Sequence, residues 1–65
     1  MLQFEIDLIL KAFLKCFGLR SSLIKYVELQ DEDMINECVE QLAKHSGLRK
    51  TFIKDNLTEI LTLGN

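Results

Sequence analysis

An all-α fold is what this sequence predicts: a small four-helix domain built from two helical hairpins. Three observations predict it. The 65 residues include no proline, so nothing bars a helix interior. Apolar residues recur at three- and four-residue spacing along most of the chain, which is the period of an amphipathic helix. The three glycines, Gly18, Gly47 and Gly64, each follow an apolar periodic run, where a helix stop belongs.

The first helix is expected from Leu2 to Phe17, with Ile6, Ile9, Leu10, Phe13, Cys16 and Phe17 at helical spacing. Its opening residues carry a second period. Leu2, Phe4, Ile6 and Leu8 alternate with Gln3, Glu5 and Asp7, so a strand in a dimer is the alternative for these first turns. Only Asp7, Lys11 and Lys15 form a polar stripe on the helix, and Phe4 interrupts it. A helix apolar over so much of its circumference is expected to be the most buried of the four, or buried against another chain.

Gly18 stops that helix, and Ser21 or Ser22 can cap a short second one running to about Leu29. Asp31, Glu32 and Asp33 place negative charge at the start of a third, where the helix dipole favours it. Met34, Ile35, Cys38, Val39 and Leu42 give the third helix its apolar face, and Gly47 ends it. A fourth helix follows from about Lys50 to Leu63. The expected core is Ile6, Ile9, Leu10, Phe13, Phe17, Ile24, Val27, Ile35, Val39, Leu42, Ile53, Leu57, Ile60 and Leu61. Residues 1–65 read as one domain, with no linker and no low-complexity segment.

Composition limits what such a domain does. A chain of this length buries only about 60% of the surface its unfolded form exposes, so its core needs support from regular packing or a partner. Most enzymes need a cleft walled by more chain than this, and no catalytic role is expected. Ten acidic against eight basic side chains give a net charge of −2, which argues against a wholly basic, nucleic-acid-binding surface. Cys16 and Cys38 lie inside apolar patterns and read as small core residues, which fits a reducing, intracellular setting. Glu5, Asp7, Lys11 and Lys15 interrupt the apolar N-terminal stretch too often for a signal peptide or a membrane span.

The side chains that carry chemistry do not assemble by spacing. Cys16, Cys38 and His45 show neither CxxC nor HxxxH spacing, so no metal site is expected. His45 belongs in the last turn of the third helix, where an imidazole suits the dipole. The glycines all stop helices, leaving no loop to cradle a phosphate, and no cofactor is expected. Asp31 to Asp33 is too short for a calcium loop.

The basic residues are a different matter. Arg20 and Lys25 follow the first glycine stop, and Arg49, Lys50 and Lys54 follow the second. If the two turns lie side by side, these five form one basic end opposite the acidic connection, a candidate interaction surface for an acidic partner. Reversing Arg20 and Arg49 to Glu is then expected to weaken association while leaving stability nearly intact. The alternative partner is nucleic acid. Ala43, Gly47, Leu48 and Ile53 partly follow a helix-turn-helix pattern, with Lys44, Arg49, Lys50 and Lys54 near the entrance of the second helix. Asp55 and Glu59 on that helix oppose this reading.

Self-comparison finds a repeat. Gly18-Leu19-Arg20-Ser21-Ser22-Leu23-Ile24-Lys25 lines up with Gly47-Leu48-Arg49-Lys50-Thr51-Phe52-Ile53-Lys54, 29 positions on. It is either a duplicated helix–turn–helix unit or two hairpins obeying the same local rules of glycine stop and helix restart.

From Lys11 onward a family pattern joins these features. It consists of Lys11-Ala12-Phe13, the Gly18-Leu19-Arg20-Ser21 turn, Ile24-Lys25-Tyr26-Val27-Glu28, Val39-Glu40-Gln41-Leu42-Ala43-Lys44 and Leu48-Arg49-Lys50-Thr51-Phe52-Ile53-Lys54. It resembles the N-terminal helical domain of the second (B) subunit of DNA polymerase epsilon. The resemblance implies a non-catalytic four-helix domain that docks a replisome subunit onto its neighbours. Independently of it, the apolar surplus of the first helix exceeds what three short helices can cover. That points to protein docking or to self-association, a dimer included.

Overall fold

Glu5 starts the first helix by reaching back: its carboxylate accepts the Leu2 backbone N–H at 2.8 Å, satisfying a donor that the helix itself cannot. The computed structural model describes residues 1–63 and is mostly helical, with no strand among them. In chain order the helices are α1 (Gln3–Lys15), α2 (Leu19–Glu28), α3 (Glu32–Ser46), α4 (Lys50–Asp55) and α5 (Leu57–Thr62). The alternating segment at the start is therefore helical from Gln3. The expected stop at Gly64 lies outside the described residues.

Each connection has a local cause. α1 ends two residues earlier than its apolar pattern, because Cys16, at φ −108° and ψ 80°, turns out of the helix after donating to Ala12. Gly18, at φ 85°, leads directly into α2, so Ser21 and Ser22 lie within that helix instead of capping it. α2 closes with paired bonds: the Asp31 N–H donates to the Tyr26 carbonyl at 3.0 Å and the Gln30 N–H to Val27 at 3.1 Å. This closing geometry places Gln30 at φ 55°, a position glycine usually fills. Asp31 then caps α3 by accepting the Met34 N–H at 3.3 Å, with Glu32 and Asp33 in the first turn, as the acidic run predicts.

Gly47 ends α3 at φ 79°, donating its N–H to Ala43. The Ser46 hydroxyl accepts the Leu48 N–H at 3.2 Å and shapes the corner that follows. The two repeated turns thus share a left-handed glycine and differ afterwards. Leu19 is helical at once, whereas residues 47–49 are not, and α4 starts only at Lys50. The single fourth helix expected from Lys50 to Leu63 is two helices. Asn56 interrupts it at φ −113° and ψ 18°, where its side-chain amide donates to the Phe52 carbonyl at 2.8 Å. Asparagine competes with the backbone for its own hydrogen bonds, and here that competition breaks the helix.

The packing also departs from two separate hairpins. α3 is the hub and packs against α1, α2 and α4, while α1 and α2 are not among the main packing pairs. The hairpin-like pairs are α2 with α3 and α3 with α4, which share one helix. Lys50 lies against Glu40 and Lys54 against Asn36, so α4 runs antiparallel to α3. The buried core is Ile9 and Ala12 from α1, Leu23 from α2, Ile35, Cys38, Val39 and Leu42 from α3, Ile53 from α4 and Ile60 from α5.

The first helix is thus not the most buried; α3 is. Of the expected core, Phe17 is fully exposed, and Ile6, Leu10, Phe13, Ile24, Val27, Leu57 and Leu61 are only partly covered. Helix α1 has more apolar faces than neighbours. Arg20 completes the assembly by donating from Nη2 to the Leu61 carbonyl at 2.9 Å, and the Met1 ammonium lies 3.6 Å from the Glu59 carboxylate. Both contacts hold α5 across the chain's N-terminal half.

Candidate interaction surface

The five basic residues singled out by sequence do not form one end of the molecule. Lys50 and Lys54 share the side of α4 that faces α3, Lys50 3.9 Å from Glu40 and Lys54 donating to the Asn36 side-chain amide oxygen Oδ1 at 2.8 Å. Because α4 runs back along α3, Lys54 is carried towards the acidic start of α3. It lines a groove with Gln30 and Glu32, beside the acidic connection and not opposite it. Arg20 is half-buried and spends a guanidinium N–H on Leu61, so reversing its charge would disturb the fold as well as any surface. Lys25 and Arg49 are exposed. Lys25 and Arg20 are five residues apart on α2, about 140° round the helix, and do not share a face.

The helix-turn-helix segment exists as α3, corner and α4, but its second helix has six residues. That is about 9 Å of helix. Such a helix presents fewer than two turns to a major groove, and its two lysines face α3.

What the fold does leave outside is apolar. On α1 the core side is Ile9 and Ala12, and the neighbouring side carries Ile6, Leu10, Phe13, Leu14 and, just past the helix end, Phe17. Leu14 is 84% and Phe17 103% exposed. With Leu10, Phe13, Arg20 and Leu63 they line one open groove whose walls are almost entirely hydrocarbon. Leu63 joins from the far end of the chain because Arg20 pins the neighbouring Leu61 carbonyl there.

Sequence reasoning placed Phe17 in the core and did not single out Leu14 or Leu63. The signal for Leu14 was present: it sits on the wheel between Leu10 and Asp7, at the rim of a stripe too wide for one contact. Leu63 had no such signal, since its position depends on a bond 41 residues away in sequence.

The titratable groups give the surface no chemistry of its own. Burial, and then the neighbouring Glu37 carboxylate, raise the Cys38 thiol above its ordinary range, so it stays protonated and unreactive near neutrality. Cys16 is half-buried and His45 is exposed in the last turn of α3. Among the described residues no three His, Cys, Asp or Glu side chains converge as metal ligands, and no helix is long and apolar enough to cross a membrane. No family model, curated protein or solved structure matches this chain.

Proposed function

We propose that this chain is a non-catalytic helical interaction module, a domain that works by presenting an apolar helix face to another protein surface or to a copy of itself. One observation carries the reading. Leu14 near the end of α1 and Phe17 in the turn that follows, two large hydrocarbon side chains, stand almost wholly in solvent beside a helix whose other face is packed. Burying a leucine or phenylalanine returns about 1.5–3 kcal/mol, so a contiguous exposed set of them is a store of binding energy that the fold leaves unused. The finer form of the proposal is a docking domain of an intracellular replication complex. It rests on the resemblance of Lys11-Ala12-Phe13, the Gly18-Leu19-Arg20-Ser21 turn and the segments 24–28, 39–44 and 48–54 to the N-terminal helical domain of the polymerase epsilon B subunit.

The test separates a functional face from a misjudged core. The double variant Leu14→Glu/Phe17→Glu should keep the helical circular dichroism spectrum and the melting temperature of the parent. It should lose binding of the apolar dye anilinonaphthalene sulfonate. A melting temperature lowered by more than about 10 °C would put these residues in the core and overturn the reading. So would a parent protein that binds no dye at any concentration at which it is monomeric.

A further inference from the structure

We infer that the end of the molecule where α1 stops and α3 turns into α4 docks onto the surface of an anionic lipid bilayer, with Leu14 and Phe17 entering the interface and the surrounding cations holding the head groups. This goes beyond the interaction-module reading and shares with it only the exposure of Leu14 and Phe17. Charge is divided along the chain in a way that the net value of −2 conceals. Residues 11–22 and 40–52 carry six of the eight Lys and Arg but only one of the ten Asp and Glu, a charge of +5, and the rest of the chain carries −7. The fold brings these two segments to one end. α2 is joined to α3 by a short connection and runs back along it, so Leu19 and Ser22 share a groove with Glu40 and Gln41. The Leu19 N–H donates to the Cys16 carbonyl at 3.0 Å, which ties the end of α1 to the same place. α4 starts there too, with Lys50 beside Glu40. Both left-handed glycines, Gly18 and Gly47, therefore lie at this end, and the cations around them are Lys11, Lys15, Arg20, Lys44, Arg49 and Lys50. Lys25 and Lys54, in the last turns of α2 and α4, are carried to the other end with the acidic connection.

Leu14 and Phe17 stand at this cationic end, one in the last turn of α1 and the other in the turn beyond it. Among the described residues Lys11, Lys15, Lys44 and Arg49 are exposed and have no ion-pair partner, and Arg20, engaged with Leu61, keeps its charge. The 15 residues of α3, about 22 Å of helix, separate this end from Asp31, Glu32 and Asp33. Charges are screened over about 8 Å at physiological salt, so an anionic surface met by the basic end is scarcely repelled by the acidic one. Asp7 lies two turns back along α1 from Leu14, about 10 Å, and is spared in the same way when the molecule docks end-on. A nucleic-acid backbone would match the cations but offers no hydrocarbon to Leu14 and Phe17. A folded acidic protein would need carboxylates matched to cations spread over four helices and a corner. An anionic leaflet supplies negative head groups above hydrocarbon, and being fluid it meets cations at any spacing. Two apolar side chains anchor weakly and surface cations are screened, so attachment is reversible and needs both signals.

Sedimentation of the full chain with vesicles of about 30% phosphatidylserine in phosphatidylcholine should show binding at least about tenfold tighter than to phosphatidylcholine alone, released by about 0.5 M salt. Lys15→Gln/Arg49→Gln should weaken it at least about tenfold. Lys25→Gln/Lys54→Gln makes the same change in net charge at the other end and should leave binding within about twofold, each pair keeping the parent's circular dichroism spectrum. The chain has no tryptophan, so Phe17→Trp reports its own burial, and its emission should shift to the blue on these vesicles. An unshifted emission from bound protein, equal weakening by the two glutamine pairs, or equal binding to phosphatidylcholine overturns the inference. Binding to a fluorescent DNA duplex with the vesicles left unbound overturns it in favour of nucleic acid. A chain that ignores the vesicles but binds the dye through Leu14 and Phe17 overturns it in favour of a protein partner and spares the interaction-module reading. A chain that binds neither vesicles nor dye overturns both.

Discussion

Helices α1 and α3 are of similar length and both carry a strong apolar pattern, yet one is the hub of the fold and the other its open edge. α3 is the more polar of the two. Its buried residues, Ile35, Cys38, Val39, Leu42 and Ser46, form one narrow stripe, and nearly everything else on it is charged or amide. α1 has apolar residues around most of its girth and buries only Ile9 and Ala12 fully. Total hydrophobicity therefore does not choose the central helix. What chooses it is whether neighbours exist on each apolar side. α3 lies between a tight connection to α2 and a glycine corner to α4, so both neighbours fold back onto it. α1 is followed by a turn that leads α2 away from it, and its surplus stays outside.

The sharpest way to break this comparison is to truncate one residue from each helix. Leu42→Ala, at a site with no solvent exposure in α3, should cost about 2–5 kcal/mol. That is most or all of the stability a domain of this size commands, about 3–5 kcal/mol. Phe17→Ala, beside α1, should change the urea midpoint by less than about 0.5 kcal/mol equivalent. Equal effects would erase the distinction between hub and edge. Next comes Arg20→Ala, which removes the bond to Leu61 and should cost about 1–2 kcal/mol. Hydrogen exchange should then accelerate in α5 and leave α3 protected. Uniform acceleration would mean that α5 and the hub unfold as one unit.

Gln30→Gly should act in the opposite direction. At φ 55° glutamine sits in a region that costs a residue with a side chain about 1–2 kcal/mol, so glycine should raise stability by up to about 1 kcal/mol after its own entropy loss. A decrease would show that the Gln30 side chain contributes more than its backbone costs.

The smallest expected effect concerns pH. The Cys38 thiol is raised in the folded chain by burial and by Glu37. Above the ordinary thiol range the unfolded chain releases this proton while the folded chain keeps it, so stability falls as pH rises through about 9. Chemical denaturation between pH 7 and 10 should show a steeper decline in the parent than in Cys38→Ala. Identical slopes would remove Cys38 from the account.

Much of the helical pattern was legible because its causes are local. Asp31 caps α3 as an acidic residue before an apolar run should, and Gly47 ends it in the left-handed conformation that glycine alone adopts freely. The break at Asn56 was legible in principle, since asparagine inside a helix pattern is a poor helix former, but the apolar period running through to Leu61 masks it. The candidate surface was half legible. The surplus on the first helix was visible as a stripe too wide to cover, but Phe17 was placed inside the core because periodicity says which residues share a face and not which face is covered.

By itself, then, the sequence determined the all-helical character, the acidic cap on α3, the left-handed glycines and the excess of apolar surface on its first helix. Each of these follows from interactions within about four residues. Only the tertiary structure decided that α3 is the hub, that Lys54 sits beside the acidic connection and that Leu63 joins Leu14 and Phe17. Those facts depend on the direction α4 takes along α3 and on a hydrogen bond from Arg20 to Leu61, contacts between residues far apart in the chain whose partners no local period specifies.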